Sequence, residues 1–427
     1  MHGRAGSSPA IDLFGWLRGS GPPGTLIRTG ASAGLNARRA PARPDLSRTF
    51  PGDTVFDGLI NVVLMLVVLV VLIVAHEFGH FMLARRAGVT VHEFGIGFPP
   101  RIATIGRLWG TPITLNALPL GGFVKLEGEN DDSPDPHSFG SQGLPTRLAI
   151  LLAGVGMNAL VAVVLFTGLA LAGYPSTTIH IGAYSQNPDP ALATTSPAEQ
   201  AGLKTDTPND RGSVSPTGDT ILAIDGRRFV WFDGTQAMLD YVRSRAGQTV
   251  TVTVRHADGT EATVPIALRD AAHARTEGAM GIVINSSSAG PPIQVGPLEA
   301  VGMGIGRTAT TVTQVFGALG SFIADIGHPQ VTGPIGIASA VGQTRSEGAA
   351  PWSFVYLVAL LSANLAILNV LPIPPMDGGR IATSLLRAVG RGRVGIRFER
   401  RAALVGFVLL IALVFWVGAN DIVRLQA

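Results

Sequence analysis

Residues 71–84 read VLIVAHEFGHFMLA, and this stretch decides how the rest of the chain is read. A run of membrane type flows without a break into His-Glu-x-x-His. His76 and His80 are four residues apart, so on a helix they share one face and can hold one metal ion. Glu77, beside the first histidine, is the residue type that takes a proton from an attacking water and later returns it to a leaving amine. Ionisable side chains inside a span are costly, about 2.5–3.5 kcal/mol each at mid-bilayer on insertion scales, so three of them argue for a function. The plain alternative is a pair of core histidines satisfied by hydrogen bonds.

The composition agrees with a membrane protein. The chain has 427 residues, 46% hydrophobic and only 14% charged, a balance unlike that of a soluble protein. Its length suggests two or three domains. A net charge of +3, with no basic stripe interleaved with aromatics, gives no support to nucleic-acid binding. There is no cysteine, which excludes disulfides and thiolate metal sites and leaves His, Asp and Glu as metal donors.

Four segments are long and apolar enough to cross a bilayer: 59–84, 147–173, 352–373 and 401–420. All four are expected to be helices, because in lipid only a helix or a closed barrel satisfies its own backbone. Residues 1–52, rich in Gly, Pro, Ser and Arg, read as a disordered tail without the apolar core of a signal peptide. Residues 111–129, TPITLNALPLGGFVKLEGE, alternate enough for a β-hairpin with Gly121-Gly122 at its turn. About 178 residues separate spans two and three. DTILAIDGRRF and QTVTVTVRHADGTEATVPIAL within them read as strands, and His-Ala-Asp-Gly-Thr reads as a hairpin turn, giving an inserted α+β module over 176–286. Residues 290–350 follow it, and 296–325 form an amphipathic, nearly uncharged helix expected to lie against the membrane. Residues 351–427 hold the last two spans.

Arg and Lys in the short loops set the orientation. The loop between spans three and four carries Arg380, Arg387, Arg391, Arg393, Arg397, Arg400 and Arg401; that between spans one and two carries Arg85, Arg86, Arg101, Arg107, Lys125 and Arg147. Both are expected on the cytoplasmic side, with the inserted module outside. The seven arginines of the tail conflict with this orientation if that tail is native.

Catalytic zinc usually takes three protein ligands and leaves one position open. Asp377 is the one acidic residue at the foot of span three, in NLAILNVLPIPPMDGGR, where Pro372, Pro374 and Pro375 interrupt the helix. It is the natural third ligand, the alternative being a turn residue at a helix end.

With HEFGH at 76–80 and NVLPIPPMDGG at 369–379, the chain resembles the site-2 protease family of intramembrane zinc metalloproteases, and within it the bacterial regulator-of-sigma protease branch. The resemblance covers about 59–420. It implies an α-helical polytopic membrane fold with about four transmembrane helices, a membrane-associated β-hairpin and an inserted PDZ domain. It implies one Zn2+ per chain, held by His76, His80 and Asp377, with Glu77 as the base. Asn369, and more weakly Asn364, would align the substrate; Gly121 and Gly122, in LPLGGFVKL, would belong to the loop that holds the substrate as an added strand. Met376 stands where the family has Leu, a volume-conserving exchange. SPAEQAGLKTDTPNDRGSVSPTGDTILAIDGRRF, 196–229, resembles bacterial PDZ domains with about ten extra residues between Lys204 and Gly218, and GPIGIA at 333–338 recurs in relatives after this domain. The implied substrates are single-span membrane proteins of the bacterial inner membrane: anti-sigma factors already trimmed outside, and remnant signal peptides. The PDZ domain would contact substrate peptide from the extracytoplasmic side. The rival classes are a membrane metal carrier, which would want several sites along a path and has no use for Glu77, and a PDZ scaffold with an inactive metal site.

Overall fold

The computed structural model describes residues 55–129, 133–185, 195–208, 214–230, 234–324, 333–345, 352–389 and 396–426. The expected tail at 1–52, residues 209–213 of the extra stretch at 205–217, and Arg391 and Arg393 lie outside them. The chain divides into two compact units.

The first unit contains the apolar helices. Helix α1, Val55–Arg86, is a run of Val, Leu and Ile ending in Arg85-Arg86, which complement its negative C-terminal dipole. The hairpin that follows joins β1, Val91–Leu108, to β2, Thr111–Leu126. The hairpin is therefore much larger than 111–129, and its turn is not Gly121-Gly122. The turn is Trp109-Gly110, with φ of 48° and 85°. Two consecutive positive φ values match the primed turns whose twist suits antiparallel strands. Gly121 and Gly122 lie inside β2, with Gly122 opposite Ile96. Helix α2, Leu144–Ala172, starts at a Leu-Pro pair, since proline is tolerated in a first turn, and gives way to Gly173 at φ 93°.

In the inserted unit, β3 (Tyr174–Tyr184), a short helix α3 (Pro197–Gln200), β4 (Thr220–Ile224), helix α4 (Gly234–Ser244), β5 (Thr249–Arg255), β6 (Glu261–Ala267) and β7 (Ile282–Ile293) follow in chain order. The five strands form one antiparallel sheet in the order β6-β5-β4-β3-β7. Alternation in β5 buries Val250, Val252 and Val254 against Ile179, Ile181, Ile221 and Ile266, and α4 adds Met238 and Val242 to that core. The hairpin at His256–Thr260 sits where Asp-Gly marks it. The sheet runs beyond 176–286 at both ends, because β3 and β7 pair from Tyr174↔Ile293 to Tyr184↔Ile282.

A buried carboxylate ties this unit together. Asp206 accepts from His180 Nε2 at 2.6 Å, Asn285 Nδ2 at 2.7 Å and the Gly218 amide at 3.0 Å. Burial alone would raise its pKa; the hydrogen bonds from His180, Gly218 and Asn285 outweigh it and hold the group below the usual carboxylate range. A depressed native pKa adds stability above the unfolded value, near 3.9, and that stability is lost as pH falls through and below it. An Asp206→Ala chain is expected to lose roughly 2–3 kcal/mol at pH 7 from three orphaned donors, and less at a pH low enough to protonate the native carboxylate. Hydrogen exchange of the β3 and β4 amides at the two pH values measures it.

The remaining helices return to the first unit. Helix α5, Pro297–Ala324, exposes Leu298, Val301, Ile305 and Phe316 along one face. Helix α6, Pro334–Gln343, begins in GPIGIA, and the buried Asp421 accepts from the Gly333 and Gly336 amides at its N-terminus. Helix α7, Trp352–Val370, stops at the Pro-rich stretch; α8, Asp377–Val389, and α9, Ile396–Gln426, complete the chain. Among the described residues four helical segments are long and apolar enough to cross a membrane: Asp57–Arg86, Leu144–Ala172, Trp352–Val370 and Arg401–Ala419. Their outward faces carry Val63, Val67, Val71, Leu160, Val164, Val408 and Leu409, as helices bathed in lipid must.

Candidate active site

The site is built where α1, α2 and the start of α8 meet. His76 lies about 15 Å along the helix from Arg86 and His80 about 9 Å, so both sit within a span and away from its end. The proline break after α7 frees the chain to double back. Ile373 N donates to Leu371 O at 2.7 Å and Met376 N to Ile373 O at 2.9 Å, and α8 then opens at Asp377. Only glycine fits the next two positions: a Cβ on Gly378 would lie 2.1 Å from Val370 O, and one on Gly379 would lie 2.6 Å from Pro374 N. These contacts present Asp377 to the histidines.

Asp377 Oδ2 is 2.9 Å from His76 Nε2 and 3.1 Å from His80 Nε2, and the two Nε2 atoms are 3.1 Å apart. Both histidines are buried and Asp377 is largely so. Zinc about 2.0 Å from each donor in a tetrahedral site needs donor–donor separations of about 3.3 Å. The triangle is thus close to zinc size, with the hard and borderline donors zinc accepts. Among the described residues this is the one group of three or more His, Asp and Glu donors close enough to hold a metal.

The surroundings orient the ligands. His80 Nδ1 donates to Ile150 O at 2.8 Å, which fixes its proton there and turns the Nε2 lone pair toward the triangle. On the other histidine, Asn158 Nδ2 lies 3.4 Å from His76 Nδ1. Gly154 and Gly79 let the helices touch: a Cβ on Gly154 would lie 2.4 Å from His80 Nε2, and one on Gly79 would lie 2.3 Å from Ala153 O. Phe81 anchors the end of α1, packing on Phe94 at 5.6 Å and stacking on Trp109 at 5.5 Å between ring centres.

Glu77, with His80 and Asp377 of the triangle, lines a cavity of about 360 Å³. Its walls combine Phe98, Phe123 and Phe139 with the ion pair Arg380–Glu129, closed at 2.6 Å. A water-accessible chamber with an apolar wall and a charged end is thereby joined to the donors. Of the other sequence-selected residues, Gly122 is close: a Cβ there would lie 3.5 Å from Glu77 Cγ. Gly121 adjoins it. Asn369 instead donates to Leu365 O in its own helix at 2.9 Å, Asn364 Oδ1 is buried without a partner among the described residues, and neither lines the cavity. Asn158, Gly154, Glu129 and Arg380 escaped sequence reasoning. Arg380 was within reach, since it follows the Asp377 motif directly.

The family model for peptidase family M50 matches residues 64–413. Relatives that carry the name "Putative zinc metalloprotease" include three from different bacteria. The one from Mesorhizobium japonicum is 32% identical over 84% of this chain and 97% of its own; that from Clostridium perfringens is 29% identical over 82% and 95%. That from Agrobacterium fabrum is 29% identical over 84% and 95%. The cofactor is zinc, for which the donor triangle is suited. With four membrane-length helices, a buried zinc-sized donor set and a family match over most of its length, the chain belongs to peptidase family M50 and is a membrane zinc metalloprotease.

Proposed function

We propose that this protein is an intramembrane endopeptidase of the regulator-of-sigma branch, cutting single-span proteins within or beside the bilayer. The observation that carries the reading is the place of the donor triangle: two histidines inside a membrane-length helix meet Asp377, and Glu77, His80 and Asp377 line one chamber. His76, His80 and Asp377 are read as the zinc ligands. Bound there, zinc supplies a Lewis acid that polarises the scissile carbonyl and makes water a nucleophile near neutral pH. Glu77 takes the proton of the attacking water and delivers it to the amine that leaves. His80, locked by Ile150 O, keeps its lone pair toward the site throughout.

A helical substrate hides its peptide bonds and must be unwound before it is cut. The backbone of β2 at Gly121-Gly122 runs beside Glu77, and pairing of an extended substrate with this strand would hold the bond open over the base. Exposed Phe98, Ile102, Ile105, Trp109, Leu115 and Leu118 on the hairpin support a membrane-associated loop. Asn369 and Asn364 belong to this reading only as residues that align substrate after it enters. The five-stranded unit is read as an extracytoplasmic PDZ domain that contacts substrate peptide, and anti-sigma factors and remnant signal peptides of the bacterial inner membrane are the substrates proposed. A metal carrier is less well supported: the described residues offer one donor group and not a path of them.

The test is where the cut falls. The purified full chain is given a tagged single-span protein, and the products are sized by mass spectrometry. The expected cut lies inside or within a few residues of the apolar segment. Cleavage confined to soluble loops would overturn the intramembrane reading.

A further inference from the structure

Asn158 is fully buried in the middle of α2, where an amide is expensive to leave unsatisfied. Its backbone carbonyl accepts from Ser362 Oγ at 2.8 Å, but its side chain is committed elsewhere. Nδ2 points at His76 Nδ1 across 3.4 Å, while Oδ1 has no hydrogen-bond partner among the described residues.

This contact has a definite consequence for the ring. When the amide donates, Nδ1 accepts, and the proton of a neutral imidazole stands on Nε2, where it meets Asp377 Oδ2 at 2.9 Å. A metal ligand needs the reverse, a lone pair on Nε2 and the proton on Nδ1. His80 is held permanently in that second form, because the Ile150 carbonyl accepts and never donates. His76 faces an amide, which can do either. The amide oxygen and nitrogen are nearly the same size, so a half-turn about Cβ–Cγ exchanges them with little other movement. The turned amide offers Oδ1 to His76 Nδ1–H, and the stranded oxygen gains a donor.

We infer that Asn158 is a positioning residue that turns its amide over to accept from His76 Nδ1–H and so selects the tautomer in which His76 Nε2 binds zinc. This rests on the reading of His76 as a ligand. The two histidines are then oriented by different partners, His80 by a fixed acceptor and His76 by a reversible one.

The experiment compares zinc affinity in the purified full chain, measured at pH 8 by competition with a chromophoric chelator, for wild type, Asn158→Asp and Asn158→Leu. An ionised Asp accepts and cannot donate; Leu does neither. Asn158→Asp is expected to hold zinc at least as tightly as wild type, and Asn158→Leu tenfold or more weakly, in the range typical of lost outer partners. Equal affinity of the Leu variant, or a tenfold loss in the Asp variant, overturns the proposal. If the Leu variant is not recovered folded, the Asp variant decides alone on the same criterion. A wild-type chain that binds no zinc would instead remove the ligand reading itself, and this proposal with it.

Discussion

A Glu77→Gln chain is expected to lose between a hundredfold and ten-thousandfold in kcat while keeping its zinc and, within a few-fold, its KM. The size follows from the role proposed for Glu77. It stands outside the donor triangle of His76, His80 and Asp377, so its loss removes no ligand. It does line the chamber beside His80 and Asp377, where the proposed mechanism has the attacking water give up a proton. Gln keeps the shape and the hydrogen-bonding reach but has no basic oxygen, and general-base steps of this kind are worth about 10²–10⁴. A kinetic comparison at saturating substrate, paired with a zinc assay on the same samples, separates the two quantities. A loss under tenfold, or a loss matched by missing zinc, would place the base elsewhere.

The second large effect comes from a residue with no chemistry. Gly154→Ala is expected to cut kcat/KM at least a hundredfold and to leave the purified chain with much less than one zinc. The methyl would sit 2.4 Å from His80 Nε2 and 2.8 Å from His76 Cε1, where no van der Waals contact fits. Either the histidines swing out of the triangle or α2 backs away from α1. The second route also opens the contact of Gly79 with Ala153 O, so relief costs packing along both helices. A displacement of even 1 Å at a reacting centre is worth about a hundredfold. Metal analysis, cleavage rate and thermal melting of the variant check this. Normal zinc content and rate would mean that the helices at this point are far softer than the structure has them.

The metal motif was legible in the sequence for a geometric reason. Four residues are one helical turn, so His76 and His80 share a face whatever the fold around them. Asp377 was legible because prolines and glycines announce a break in an apolar run. The four spans were legible from length, to within a few residues at each end.

The hairpin was not. Gly121-Gly122 has the look of a turn, yet the turn uses Trp109, a residue seldom found at positive φ. The pairing of β1 with β2 also slips register repeatedly, which erases the two-residue alternation by which a strand is recognised. The outer strands of the inserted sheet pair Tyr174 with Ile293, a partnership no local pattern encodes. Asn158 and Gly154 were hidden for a different reason. In LLAGVGMNALVAVV they are unremarkable small or polar residues of an apolar helix, and their meaning appears only when His76 and His80 stand against them.

The central claim is that one zinc, held by the buried His76–His80–Asp377 triangle, does the cutting. The direct measurement strips the metal from the purified chain with a chelator and then follows cleavage of a single-span substrate as zinc is added back. Activity is expected to be absent at zero zinc, to rise in proportion, and to saturate at one equivalent per chain. The same titration of an Asp377→Ala chain is expected to stay flat near one equivalent. Cleavage by the stripped chain, or an unaltered titration without Asp377, would contradict the account.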